Sequence, residues 1–146
     1  MEYKVYWDGY SSPKLHRRAG YCVLIYDDKG QVIRETIAAL DPAETNNVAE
    51  AEGLINALQQ LLDLKIAQAT INTESCVVAH SRAIVYGDSA LVVKMYHGRV
   101  RLKSKRLQAV QKKIQALKRL VTPYVLVIWV PRRENKAGLL IQEKKI

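Results

Sequence analysis

Ala83-Ile84-Val85-Tyr86-Gly87-Asp88-Ser89-Ala90-Leu91-Val92-Val93 is the stretch whose reading decides the architecture. Ala83 to Gly87 reads as a short strand, Asp88 stands at its end, and Ser89 leads into an apolar, helix-like start. An earlier stretch, Ala69-Thr70-Ile71-Asn72-Thr73-Glu74-Ser75-Cys76-Val77-Val78, has the same order of strand, acid, serine and apolar start. Only one of the two strands can lie beside the first strand of the chain and deliver its acid there. Asp88 sits in the tighter Gly-Asp-Ser context, and its shorter arm suits a rigid strand end, whereas Glu74 reaches about one methylene further. The expectation is therefore that Ala83–Gly87 takes the central slot and that the stretch 67–81 loops out or joins a sheet edge.

Working outward, Glu2 to Trp7 alternates with Tyr3, Val5 and Trp7 on one face, and Asp8 ends this strand. Ser11-Ser12-Pro13 to Arg17-Arg18 is a basic turn. Gly20 to Tyr26 and Gln31 to Ala38 are strands joined by Asp27-Asp28-Lys29-Gly30, a hairpin turn in which Gly supplies positive φ. After Asp41-Pro42 a helix runs to about Leu64, with Val48, Ala51, Leu54, Ile55, Leu58, Leu61 and Leu62 as its apolar stripe and Thr45 or Asn46 as cap. Ser104 caps a second long helix that turns Leu107, Val110, Ile114 and Leu117 inward and Lys112, Lys113, Lys118 and Arg119 outward. Tyr124 to Val130 is a continuous apolar strand, as in a sheet covered on both faces. Antiparallel strands followed by strand–helix alternation predict an α/β fold with a mixed sheet, organised as a single domain over 1–146.

The 146 residues include 49% apolar and 25% charged residues, an ordinary globular balance. No apolar run approaches the ~18 residues of a membrane span, and Met1-Glu2-Tyr3-Lys4 does not read as a signal peptide. Cys22 and Cys76 have no metal-ligand spacing, nor do His16, His80 and His97; a reduced, cytoplasmic setting is the expectation. Lys and Arg number 23 against 14 acids, giving a net charge of +9. That excess favours a polyanionic partner, because each neutralised phosphate releases counterions; a merely solvated basic surface is the plainer alternative. The cluster Arg99, Arg101, Lys103, Lys105 and Arg106 lies between the Asp88 element and the second long helix. It is either a solvated loop and helix start or a phosphate-holding surface, and positive charge at the helix N-terminus opposes the dipole until an external anion relieves it.

Asp8, Glu50 and Asp88 suit metal catalysis: two strand ends and the first turns of a helix packed across them bring three carboxylates together. Hard cations such as Mg²⁺ take oxygen ligands of this kind. Any one of these acids alone is more often a turn, a cap or a solvated helix residue.

Together with their surroundings the three acids resemble type-1 ribonuclease H, in its archaeal- and plant-like branch. The resemblance rests on Asp8-Gly9 after a strand, Thr45-Asn46-Asn47-Val48-Ala49-Glu50 opening a helix, Val85 through Asp88-Ser89 to Val93, and Val130-Pro131-Arg132-Arg133-Glu134-Asn135-Lys136. It implies a ribonuclease H-like, five-stranded mixed sheet with helices on both faces. It also implies hydrolysis of the RNA strand of RNA–DNA hybrids, with Mg²⁺ or Mn²⁺ held by Asp8, Glu50 and Asp88 as catalytic ligands. Ser11, Thr45, Asn46 and Asn47 would contact the duplex backbone in the minor groove, where the 2′-hydroxyl distinguishes RNA from DNA. Arg99, Arg101, Lys103 and Lys105 would hold phosphates of the DNA strand.

The sequence departs from the family at definite places. The fourth family carboxylate falls on Leu139, with Glu134 and Glu143 the nearby acids; the usual His before Val-Pro is Trp129, and a frequent Gln is Ala90. The final helix is a stub, and 67–81 is an insertion before the third acid. Two functional expectations follow: a metal-dependent endonuclease of weakened activity, and a catalytically impaired module that binds a nucleic-acid duplex.

Overall fold

The computed structural model describes residues 1–12, 18–66, 69–72, 77–121 and 123–144. Three antiparallel strands come first: β1 (Glu2–Ser12), β2 (Arg18–Tyr26) and β3 (Val32–Leu40). The β2–β3 turn forms as its residues dictate. The Asp27 carboxylate accepts hydrogen bonds from the amides of Lys29 and Gln31, both at 2.9 Å, and Gly30 takes φ 79°. Then follow α1 (Asn46–Asp63), β4 (Ala69–Asn72), β5 (Val77–His80), β6 (Arg82–Gly87), α2 (Ala90–His97), α3 (Lys105–Val121), β7 (Val125–Trp129) and α4 (Lys136–Glu143). Thr45 caps α1 by accepting from the Val48 amide at 3.3 Å, and Ser89 caps α2 in the same way from Val92 at 3.2 Å.

The main sheet has the order β3-β2-β1-β6-β7. β1 runs antiparallel to β2 and parallel to β6, with Val5 opposite Val85 and Tyr6 opposite Tyr86. β6 therefore takes the central slot, as the Gly-Asp-Ser argument expects. Asp8 does not end β1, which stays paired with β2 as far as Ser12; it lies two residues past the last β1–β6 pair, level with Asp88 just beyond the end of β6. The described residues of the stretch 67–81 add no strand to the main sheet and are looped out of it, as one of the two expected alternatives has it. β4 and β5 pair antiparallel, Ala69 opposite His80, in a separate two-stranded sheet. The apolar start Val77-Val78, expected to be helix-like, is instead strand: a short run of β-branched residues suits a pleated pairing, and β4 supplies the partner. Glu74, Ser75 and Cys76, like His16, lie outside the described residues.

Alternation along β1 and β2 divides the core between two faces. Val5, Trp7, Val23 and Ile25 pack with Leu54, Leu58 and Leu61 of α1, Val92 and Met95 of α2, and Val110 and Ile114 of α3. Fully burying each such side chain contributes roughly 1.5–3 kcal/mol. The opposite face is covered by α4, whose Ala137 and Ile141 meet Cys22 and Leu24. Gly87 is required by this packing: a Cβ there would stand 2.3 Å from the buried Trp7 ring. The glycine before Asp88 thus makes room for Trp7 at the strand end. No helix among the described residues is long and apolar enough to cross a membrane.

Candidate active site

The site is assembled by a close approach between strand and helix. A Cβ on Gly9 would lie 2.3 Å from the Glu50 amide nitrogen and 2.4 Å from the Ala49 carbonyl carbon, so only glycine lets α1 press its first turns onto β1 next to Asp8. That contact carries Glu50 to Asp8, and the β1–β6 register brings Asp88 alongside. Each of the three acids offers a carboxylate oxygen, and these oxygens all lie within 4.8 Å of one another. They open into a cleft of about 260 Å³ lined also by Gly9, Asn46, Ser89 and Arg132.

Three like charges in so small a space are costly, and burial makes them costlier. Asp8 and Glu50 are each only 5% exposed. Burial pushes the Asp8 carboxyl up to about 6, with Asp88 adding repulsion while the Glu50 hydrogen bond and the Arg132 charge oppose the rise. Glu50 is pushed up to about 10, by burial first and then by Asp8 and Asp88. Its Oε2 atom is buried without a hydrogen-bond partner. A Glu50 carboxyl that burial and its neighbouring acids hold protonated, with one oxygen unpaired, gains from a cation set against it. The all-oxygen donor set suits a hard divalent ion.

Two residues of this site were quoted in the sequence motif without an assigned role. Asn135 is fully buried; its Nδ2 donates to the Trp7 carbonyl at 2.9 Å and to Asp88 Oδ2 at 3.3 Å, and its Oδ1 accepts from the Ala137 amide. It therefore caps α4 and ties that helix to β1 beside Asp8 and to Asp88 beyond the end of β6. Its position as an N-cap before an apolar run was the one available signal. Arg132 stands in the cleft wall as the cation facing the acids, and the Trp129 indole N–H donates to the Asp88 carbonyl at 3.1 Å.

The remaining candidate residues divide. Asn46 reaches the cleft, Thr45 caps α1 beside it, and Asn47 is exposed on the first turn. Ser11 donates to the Glu44 carbonyl at 2.7 Å, which pins the end of β1 to the approach to α1. Arg99, Arg101, Lys103 and Lys105 are exposed between α2 and α3. Arg106, read as one of that cluster, instead pairs with Glu44 at 3.0 Å and Glu52 at 3.7 Å. On α4, Leu139 is 47% exposed, while a Cβ on Gly138 would be 3.0 Å from Asp8 Oδ2. Among the described residues neither Glu134 nor Glu143 joins the acid cluster.

The family model described as reverse transcriptase-like matches residues 7–139. Among solved structures, the chain is similar to LC11-RNase H1, isolated from compost by a metagenomic approach and solved in complex with an RNA/DNA hybrid. The two share 29% identity over 97% of this chain and 94% of that one, with a TM-score of 0.76. The N-terminal RNase H domain of a Mycobacterium tuberculosis protein, solved as a fusion with maltose-binding protein, matches at 28% identity over 94% and 92% of the chains, TM-score 0.73. RNase H1 of the halophilic archaeon Halobacterium salinarum shares the fold at 20% identity over 100% of both chains, TM-score 0.76.

Proposed function

This chain belongs to the reverse transcriptase-like family, and from that premise we propose that it is a metal-dependent endonuclease that hydrolyses the RNA strand of RNA–DNA hybrids. The observation that carries the reading is the convergence of Asp8, Glu50 and Asp88 in an open cleft, in a fold shared with RNase H1 structures. The donor set fits one Mg²⁺ or Mn²⁺, with Asp8 and Glu50 holding it and Asp88 completing the set. When bound, such a cation supplies positive charge and Lewis acidity against the scissile phosphate. Asn135 holds the Asp88 carboxylate in place through its amide, and Arg132 offsets negative charge where the phosphate enters. The free amides of the first turn of α1, beside Asn46, suit the backbone of the substrate strand. Ser11 and Thr45 each use one hydrogen bond within the protein and keep hydroxyl capacity for a sugar or phosphate. The reading places the protein in the cytoplasm, where a buried free thiol such as Cys22 stays reduced.

The test is cleavage of a hybrid labelled on either strand. RNA fragments released only with Mg²⁺ or Mn²⁺, and an intact DNA strand, are the expected result. Cleavage of neither strand would overturn the reading. Binding has its own signature. Replacing Arg101, Lys103 and Lys105 together by Ala should reduce the slope of log affinity against log salt by about 2–3, at ~0.7–0.9 per phosphate contact. Thermal unfolding of the variant should match wild type, since all three are exposed. An unchanged slope removes this loop from the interface.

A second reading, a binding module with impaired chemistry, is favoured by one observation: α4 contributes no acid to the cluster. Restoring one tests it. Leu139→Asp should raise the cleavage rate about tenfold and lower the Mg²⁺ concentration needed. An unchanged rate would mean that three carboxylates already supply what this chain can use.

A further inference from the structure

A second surface adjoins the acid cleft on the α4 side of the sheet, and the chemistry above leaves it unused. Tyr6 of β1 and Tyr86 of β6 stack with centroids 4.9 Å apart and planes 20° from parallel. Tyr26 of β2 meets Tyr6 edge-on at 5.8 Å. Lys136 Nζ lies 4.5 Å from the Tyr26 ring centre and 5.5 Å from that of Tyr6. Beside the stacked pair opens a pocket of about 450 Å³, lined by Tyr6, Tyr86, Val130, Arg133, Lys136 and Leu139, with Glu134 its one acid.

Strand alternation links this pocket to the cleft. Asp8 is two residues beyond Tyr6 and Asp88 two beyond Tyr86, so each tyrosine shares a sheet face with its acid. The 3₁₀ turn Arg132–Glu134 carries the connection on: Arg132 faces the cleft and Arg133 the tyrosine pocket. We propose that the pocket takes a nucleobase from a single-stranded extension of the bound hybrid, stacked on the Tyr86–Tyr6 pair, with its phosphate against Arg133 and Lys136. The inference rests on the nuclease reading and adds a substrate feature to it. Aromatic walls and two cations against one acid match a planar base with an anionic backbone. Leu139 fits the same ligand. An acid at that position, as the related family has, would set a second negative charge beside a phosphate.

The experiment is fluorescence anisotropy in EDTA, where hydrolysis stops, comparing a blunt hybrid with the same hybrid carrying a short single-stranded adenine extension. Wild type should bind the extended form about tenfold more tightly, the effect of one stacked base. Tyr86→Leu should erase that preference while leaving blunt-hybrid affinity unchanged. Arg133→Glu, at an exposed residue where folding is not at stake, should erase it too. Equal affinities in wild type, or a preference that survives Arg133→Glu, would overturn the proposal. If the blunt hybrid is not bound in EDTA, cleavage with Mg²⁺ or Mn²⁺ still decides the nuclease reading separately. A single-stranded adenine oligonucleotide then decides the pocket: binding lost in Arg133→Glu upholds it, and binding absent or unchanged overturns it.

Discussion

Asp88→Asn should lower hybrid cleavage by on the order of 10³-fold while leaving the thermal midpoint near wild type. The substitution keeps the size of the side chain and an oxygen for the Asn135 amide, which donates to Asp88 Oδ2, but removes the negative charge. Glu74→Gln should leave the rate within twofold. The difference follows from topology. β6 lies parallel to β1 with Tyr6 opposite Tyr86, so the acid two residues beyond Tyr86 reaches Asp8, whereas the earlier strand pattern pairs in a separate sheet. Initial rates on one labelled hybrid, at saturating Mn²⁺, check both variants. Loss of activity in Glu74→Gln with Asp88→Asn active would mean that the wrong acid has been assigned to the site.

Glu50→Gln should stabilise the metal-free protein while abolishing cleavage. The Glu50 carboxyl is raised from 4.5 to about 10 in the folded state, with burial the first cause and Asp8 the second. A raised folded value means that the folded state binds the proton more tightly than the unfolded chain. The stability contributed is then fully present below about 4.5 and is lost as the pH rises through about 10. Wild type and Glu50→Gln should therefore unfold alike near pH 4.5, because Gln mimics the protonated acid. As the pH rises wild type should fall behind, by on the order of 2 kcal/mol at pH 7, or about 5 °C in Tm. Asp8, raised to about 6, adds its own slope over a lower window and does so in both proteins. Melting curves from pH 4.5 to 9 in EDTA check this. Parallel curves for the two proteins would show that Glu50 ionises freely in the fold.

Local patterns made most of the fold legible. The Asp27–Gly30 turn, the Thr45 cap, the apolar stripe of α1 and the Val/Ile run of β7 each follow from a few neighbouring residues, and each formed. The convergence of the acids was legible for a related reason. Asp8 and Asp88 follow two strand patterns and Glu50 opens the long helix, and that placement alone brings the three carboxylates together; the close approach that Gly9 permits was visible only in the fold. What stayed hidden depends on contacts between distant parts of the chain. Asn135 stands in the Val130–Lys136 motif with no role attached, and nothing local says that its amide spans to Trp7 and Asp88. Arg106 reads as one more cation in a basic run until Glu44 and Glu52 are placed against it. Tyr6 and Tyr86 lie in separate strands, and only the register stacks them. β4 was legible as strand-forming sequence, but β5 reads as a helix-like start, and the pairing of the two was not legible.

Calorimetric titration of Mn²⁺ into wild type and Asp88→Asn at neutral pH tests most directly the claim that Asp8, Glu50 and Asp88 hold one cation. Wild type should bind a single ion and release a proton to the buffer, because the Glu50 carboxyl, held protonated by burial, must ionise to become a ligand. Asp88→Asn should bind at least tenfold more weakly. Absence of binding in wild type, or equal affinity in the two proteins, would contradict the account.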